Sequence, residues 1–196
     1  MNKQQQRICP WVTLTDPVYV AYHDTEWGRP VYDSQELFEK LCLDGQQAGL
    51  SWITILKKKQ GYRDAFCQFD PYRIVKLSPE YLEKQLNNTE IVRNRLKVQS
   101  IVKNAKGYVA MEQEGISFSE FLWSFVGGQP IVNQYVDMSE VPTQTIESQA
   151  MSKALKQRGF NFVGPTICYA FMEAVGMVND HLINCHCYSE CVDLAK

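Results

Sequence analysis

Residues 147–176 read "ESQAMSKALKQRGFNFVGPTICYAFMEAVG", and this stretch limits the possible folds more than any other. Ala150, Met151, Ala154 and Leu155 fall on one face of a helix over 147–158; Gly159 stops it, and Pro165 opens a second helix ending near Gly176. The result is a helix, a six-residue hairpin and a helix. With glycine at both ends, the turn can present unobstructed backbone N–H groups. The following helix N-terminus adds partial positive charge, a combination that can cradle a phosphate. The same pattern also suits a plain helical hairpin that packs Phe160 and Phe162 inward.

The rest of the chain repeats the helical period. Asp33 can cap a helix with Glu36 three residues on, and Leu37, Phe38, Leu41 and Cys42 then form an apolar stripe. Gly45 and Gly49 interrupt "DGQQAGLSWITIL", which predicts a bend or a helix-loop-helix there. Ser78-Pro79 starts a short helix; Leu96 to Val109 carry a long amphipathic one; "SFSEFLWSFVG" gives another that ends at Gly127-Gly128. Residues 129–146, with two prolines and little period, read as an extended connection and the best internal boundary. An all-α fold is expected, occupying 1–196 as one domain or two small subdomains sharing a cleft.

At formal net charge -2 and pI about 5.9, no global field recruits nucleic acid, so any such face must be local. Lys57-Lys58-Lys59, Arg93 with Arg95 and Lys97, and Lys153 with Lys156 and Arg158 are short basic runs that read first as solvated helix faces. No apolar run is long enough to cross a bilayer, and no secretory signal is recognisable. A reducing, cytoplasmic setting is expected. There, an odd set of seven cysteines clustered with histidine means metal more often than disulfide.

"HLINCHCYSEC", residues 181–191, holds two of the three histidines and three of the cysteines. His181 and Cys185 stand four apart, and with Cys9 and His23 they would make a Cys2His2 zinc set joining the termini. A local set of Cys185, Cys187 and Cys191 with His181 or His186 has equally plausible spacing, and packing with free thiols needs no metal at all. Cys42, Cys67 and Cys168 read as core. The zinc deaminase pattern and HExxH are both absent. Trp11, Tyr19, Tyr22, Trp27 and Trp52 sit near candidate turns, where rings can wall a pocket for a planar base, although aromatics are core by default. Asp44, among apolar residues before a glycine-rich bend, is either a turn former or a pocket carboxylate. No lysine next to this motif reads as a Schiff-base nucleophile.

"CPWV", "DPVYVAYHDTEWGRPVYDSQELFEKLCLDGQQAGLSWITILKKK", "LWSFV" and "ALKQRGFNFVGPTICYAFMEAVGMVNDH" with Cys185 together resemble the bacterial 3-methyladenine DNA glycosylases, from about residue 9 to 188. The resemblance implies an all-α helix-hairpin-helix glycosylase with two helical subdomains around a base-binding cleft and the hairpin element at about 147–176. It implies one structural zinc ion on Cys9, His23, His181 and Cys185. Trp52 would stack on an extruded N3-methyladenine, Tyr22 would hydrogen-bond it and Trp11 would complete the pocket. Gly49 and Leu50 would enter the gap in the duplex, while Gly159, Phe160, Gly164 and Thr166 would hold backbone phosphates. The implied activity is monofunctional hydrolysis of the N-glycosidic bond by a monomer that binds alkylated duplex DNA and releases free 3-methyladenine. The family's base-reading carboxylate is a Glu in "LEGQQAGLSW", and Asp44 stands in its place here, one methylene shorter. Asp44 is therefore the residue expected to read the base and support catalysis. A non-catalytic binder of alkylated DNA and a zinc-dependent hydrolase of another substrate are the alternatives.

Overall fold

The computed structural model describes residues 8–196. Among them are eleven α-helices: α1 (Pro17–Thr25), α2 (Ser34–Gln47), α3 (Trp52–Leu56), α4 (Lys59–Ala65), α5 (Pro71–Ile74), α6 (Pro79–Gln85), α7 (Arg95–Gln113), α8 (Phe118–Trp123), α9 (Ile146–Gln157), α10 (Pro165–Ala174) and α11 (Tyr188–Leu194). Two of the caps are those the sequence offers, and a third was not read from it. The Asp33 side chain accepts from the Glu36 N–H to start α2, Ser78 caps α6, and Thr145 with Ser148 forms a reciprocal box before α9.

The all-helical expectation has one small exception. Two-residue strands β1 (Ile131–Val132) and β2 (Val178–Asn179) pair in parallel, with Ile131 opposite Val178 and Val132 opposite Asn179. The extended 129–146 connection thus returns beside the segment that leads to His181, and main-chain pairing fixes it there.

Gly45 does not break its helix. It lies inside α2, buried, where an added Cβ would come within 3.0 Å of the Phe162 carbonyl oxygen. The residue allows the hairpin to settle on α2, and the true break comes at 48–51. Gly107 does the same on α7, where a Cβ would meet the Phe160 ring at 2.5 Å and the Arg158 carbonyl at 2.8 Å. Helix α10 packs against both α9 and α2. The main core runs from Leu37, Phe38 and Leu41 through Ile101 and Phe118 to Leu155 and Phe171. A second apolar cluster of Cys9, Tyr22, Trp27, Leu56, Ala174, Cys185 and Cys187 joins both ends of the described chain, with Trp11, Tyr19 and Trp52 packed on it. Cys42 and Cys168 are buried as expected, and Cys67 is half-buried in a 3-10 turn.

Candidate functional site

A cavity of about 260 Å³ lies where α1, α2, the first turn of α3 and α10 meet, with Trp11 on its rim; its lining includes Tyr22, Lys40, Asp44, Trp52 and Glu173. The Tyr22 and Trp52 rings are 5.4 Å apart and tilted by 47°, and Trp11 meets Tyr19 at 5.2 Å. Trp52 is the first residue of α3, so the break after α2 turns its ring back toward α2. Asp44 is buried on the last turns of α2. One of its oxygens accepts from Lys40 Nζ at 2.8 Å; the other, Oδ2, is buried without a partner among the described residues, and so is the Trp52 indole N–H. Buried polar atoms are nearly always paired, because leaving one bare costs about 1–3 kcal/mol. An orphan acceptor and an orphan donor on two residues that line the same small cavity mark a seat for a planar polar ligand.

A lysine also belongs to this cavity, one that the sequence reading did not single out. Lys40 stands four residues before Asp44 on α2, with its ammonium 3.5 Å from the Trp52 ring centroid and 5.5 Å from that of Tyr22. The missed signal is the i,i+4 spacing, which puts Lys40 and Asp44 on one helix face. Burial pushes Lys40 below the ordinary lysine range, and the Asp44 charge offsets part of this. Burial likewise raises the Asp44 carboxyl, against the pull of Lys40. Tyr22 is held well above its usual value, first by burial and then by the Asp44 charge, so it remains an O–H donor.

The loop at 48–51 carries Leu50, 41% exposed at its tip, beside the cavity. Lys97 fixes this loop and does not lie on a solvated face as its basic run suggested. It is buried, and its Nζ donates to the carbonyls of Gln46 and Ala48 at 2.7 Å each. Lys97, Ser100 and Asn104 form a buried polar seam along α7. At the other end of that seam, Asn104 accepts from the Asn161 N–H at 2.8 Å and donates to the Asn161 carbonyl at 3.2 Å. One helix therefore holds the loop and the hairpin in register. The spacing 97, 100, 104 carried this information, but polar residues at helical period look the same on a wet face.

In the hairpin, Gly159 and Thr166 are exposed, and Gly164 caps α10 ahead of Pro165. Phe160 is a correction. Its ring is buried and stacks on Phe118 at 5.8 Å, and its N–H donates to the Leu155 carbonyl, so it is a core residue with no donor to offer a phosphate. Phe162 is held at φ +55°, strained backbone for a residue with a side chain. Lys153 and Lys156 are exposed beside Pro165, in a shallow groove at the mouth of the hairpin. The other basic residues are mostly engaged: Lys57 with Asp16, Lys59 with Glu26, Arg95 with Glu83 and Arg158 with Glu114.

Cys9, His23, His181 and Cys185 converge, all buried, with their ligand atoms within 4.8 Å of one another, and this group could hold a metal ion. Nδ1 of His181 is 3.6 Å from Cys9 Sγ and 3.5 Å from Cys185 Sγ, and Nε2 of His23 is 3.5 Å from Cys185 Sγ. A tetrahedral ion with metal–sulfur bonds of about 2.3 Å and metal–nitrogen bonds of about 2.0–2.1 Å requires sulfur–nitrogen edges of about 3.5–3.6 Å. The outer nitrogens are engaged as metal-bound imidazoles require: His23 Nδ1 lies 2.7 Å from Asp24, and His181 Nε2 lies 3.2 Å from the Trp27 carbonyl. The hydrogen bond between Cys9 and Cys185 holds the Cys185 thiol below and the Cys9 thiol above the ordinary thiol range. The tail-only alternative is corrected: Cys191 is in neither convergent group, and Cys187 turns toward a second one with His23, Asp24 and His186. Long-range packing decides this, because α1 lies against the tail.

The methyladenine glycosylase family profile matches residues 11–188. DNA-3-methyladenine glycosylase of Haemophilus influenzae is 56% identical over 179 residues, covering 91% of this chain and 96% of its own. DNA-3-methyladenine glycosylase 1 of Escherichia coli is 55% identical over 180 residues, covering 92% and 96%. A crystal structure of 3-methyladenine DNA glycosylase I superposes with TM-score 0.91 at 55% identity, covering 93% of this chain and all of that one. A variant of 3-methyladenine DNA glycosylase I in complex with 3-methyladenine superposes with TM-score 0.86 at 43% identity, covering 88% and 93%. The chain belongs to the methyladenine glycosylase family.

Proposed function

We infer that the chain is a base-excision repair glycosylase that extrudes N3-methyladenine from alkylated duplex DNA and hydrolyses its N-glycosidic bond. The observation that carries this reading is the cavity in which Asp44 Oδ2 and the Trp52 indole N–H are buried and unpaired beside aromatic faces. An extruded adenine brings both complements, the exocyclic amino donor and ring nitrogen acceptors, with a face to stack. Methylation at N3 makes the base cationic in DNA. A buried carboxylate and the negative faces of Tyr22 and Trp52 select that charge over neutral adenine.

The chemistry asks little of the protein. The cationic base leaves with the electron pair of its bond to C1′ and becomes neutral, and water supplies the hydroxyl at C1′ while its proton passes to solvent. Asp44 accepts from the base, Tyr22 donates its O–H, Trp52 stacks, and Trp11 closes the rim against bulk water. These groups position the leaving base and stabilise its charge without protonating it, and the reading is monofunctional. Asp44 is shorter than the family Glu. In the empty pocket one of its oxygens is paired with Lys40 and the other is bare.

The exposed tip at Gly49 and Leu50, held by Lys97, fills the gap left in the duplex. Gly159, Gly164 and Thr166, at the hairpin and the start of α10, serve backbone phosphates as a helix-hairpin-helix element, with Lys153 and Lys156 alongside. Zinc on Cys9, His23, His181 and Cys185, when bound, supplies a structural cross-link between the segments next to the pocket; the sulfur–nitrogen spacing supports this choice. The chain is read as one glycosylase unit over 1–196, a cytoplasmic monomer; no helix among the described residues is long and apolar enough to cross a membrane. The test is base release from methylated duplex DNA, with products resolved by chromatography. Free 3-methyladenine without strand cleavage is the expected outcome. Tight binding to such DNA with no release would reassign the chain as a non-catalytic binder.

A further inference from the structure

Lys40 has no part in the chemistry above, yet its ammonium occupies the best cation position in the pocket. It lies 2.8 Å from Asp44 and 3.5 Å above the Trp52 ring centroid, and its side chain is only 15% exposed. These are the same carboxylate and the same aromatic face assigned to the cationic base. Lys40 also lines a second cavity, about 300 Å³, that shares Tyr22 and Trp52 with the first; its walls carry Glu36, Glu26 paired with Lys59, Glu39 paired with Arg63, and Arg29. A lysine stem is long and flexible enough to carry its charge between neighbouring cavities without moving the backbone.

We propose that Lys40 is an intramolecular competitor for the base seat: it holds Trp52 and Asp44 when the pocket is empty, withdraws toward the neighbouring cavity on the Glu36 side when the cationic base enters, and returns when glycosidic cleavage neutralises the base. This rests on the reading of the cavity as the base pocket. Entry exchanges one cation for another beside Asp44, so the carboxylate is never left bare. Cleavage then removes the charge from the base. Asp44 regains a reason to pair with Lys40, and the returning ammonium displaces the neutral product. Lys40 is thus a release- and affinity-determining residue, with no bond made or broken at its nitrogen. Its displacement costs the same for every ligand that takes the seat, so its removal tightens all of them by one factor.

The test measures equilibrium binding by tryptophan fluorescence in the full chain, with two probes. One is free 3-methyladenine, the product; the other is 3,9-dimethyladeninium, a permanent cation whose N9 methyl replaces the sugar. Lys40→Met and Lys40→Gln should both bind each probe about tenfold more tightly than wild type, the scale of displacing a cation from an aromatic face. Product inhibition of base release should strengthen by the same factor. Unchanged or weaker binding of both probes in both variants would overturn the proposal and make Lys40 either a bystander or a direct ligand of the base. Trp52→Ala separates the two readings. If that change leaves probe binding unaltered, the pocket assignment itself is wrong; if it abolishes binding while the Lys40 variants behave like wild type, only the competitor role falls.

Discussion

Asp44→Asn should destabilise the protein through Lys40, and the structure sets the scale. The pair is a 2.8 Å contact between a carboxylate 3% exposed and an ammonium 15% exposed. Removing one partner of a buried ion pair costs about 3–5 kcal/mol, because the other charge stays buried and uncompensated. Here the Asn oxygen still accepts a hydrogen bond and the Trp52 face still attracts the cation, so about 2–3 kcal/mol is the better expectation. For a chain of this length that lowers Tm by roughly 5–10 °C. Lys40→Met should cost a similar amount by leaving Asp44 bare. The double variant, with neither charge, should fall within about 1 kcal/mol of wild type, giving a coupling energy of at least about 2 kcal/mol. The pH dependence carries its own sign. In Asp44→Asn, burial lowers the Lys40 pKa further below its unfolded value, so the native state binds fewer protons than the unfolded state between the two values. Stability therefore rises with pH toward the ordinary lysine value, and the deficit relative to wild type should be smaller when measured at about pH 9.5 than at about pH 7. The assay is thermal and urea unfolding of the four proteins at both pH values. Single costs that simply add in the double variant, with coupling below about 0.5 kcal/mol, would refute the claim that the two charges support each other.

Two further outcomes follow from the geometry. Cys185→Ser should abolish stoichiometric zinc, read by metal analysis of the purified protein, and lower Tm and activity together by loosening both ends from the pocket; retained zinc would move the site to the Cys187 group. Lys97→Met should strip the Gln46 and Ala48 carbonyls of their donor, cost about 1–3 kcal/mol and weaken binding to methylated duplex DNA, while free 3-methyladenine still binds.

Local chemistry wrote the helices into the sequence. Asp33, Ser78, Thr145 and Pro165 sit at real helix starts because capping and proline geometry act over three or four residues. The glycines were harder to read. Gly49 belongs to a break, whereas Gly45 and Gly107 are helical and small because another segment presses on them, and the pressing segment is distant in sequence.

The same division runs through the site. The residue types were visible: an isolated carboxylate at 44, tryptophans near turns, and paired cysteine and histidine at both ends. The family resemblance named Cys9 and His23, but spacing alone left Cys187 and Cys191 open, and it is the packing of α1 against the tail that brings the first set together. Lys97 looked like surface charge until α7 was seen to buttress the end of α2, and Phe160 looked like part of a DNA-facing loop until Gly107 admitted its ring to the core. Lys40 carried no reading at all until burial beside Asp44 and Trp52 singled it out. By itself the sequence determined the helical period, the caps and the inventory of chemical groups, because each depends on near neighbours along the chain. Only the tertiary structure decided which groups face one another, which charges are buried and which polar atoms are left bare, because burial and pairing depend on what packs across space.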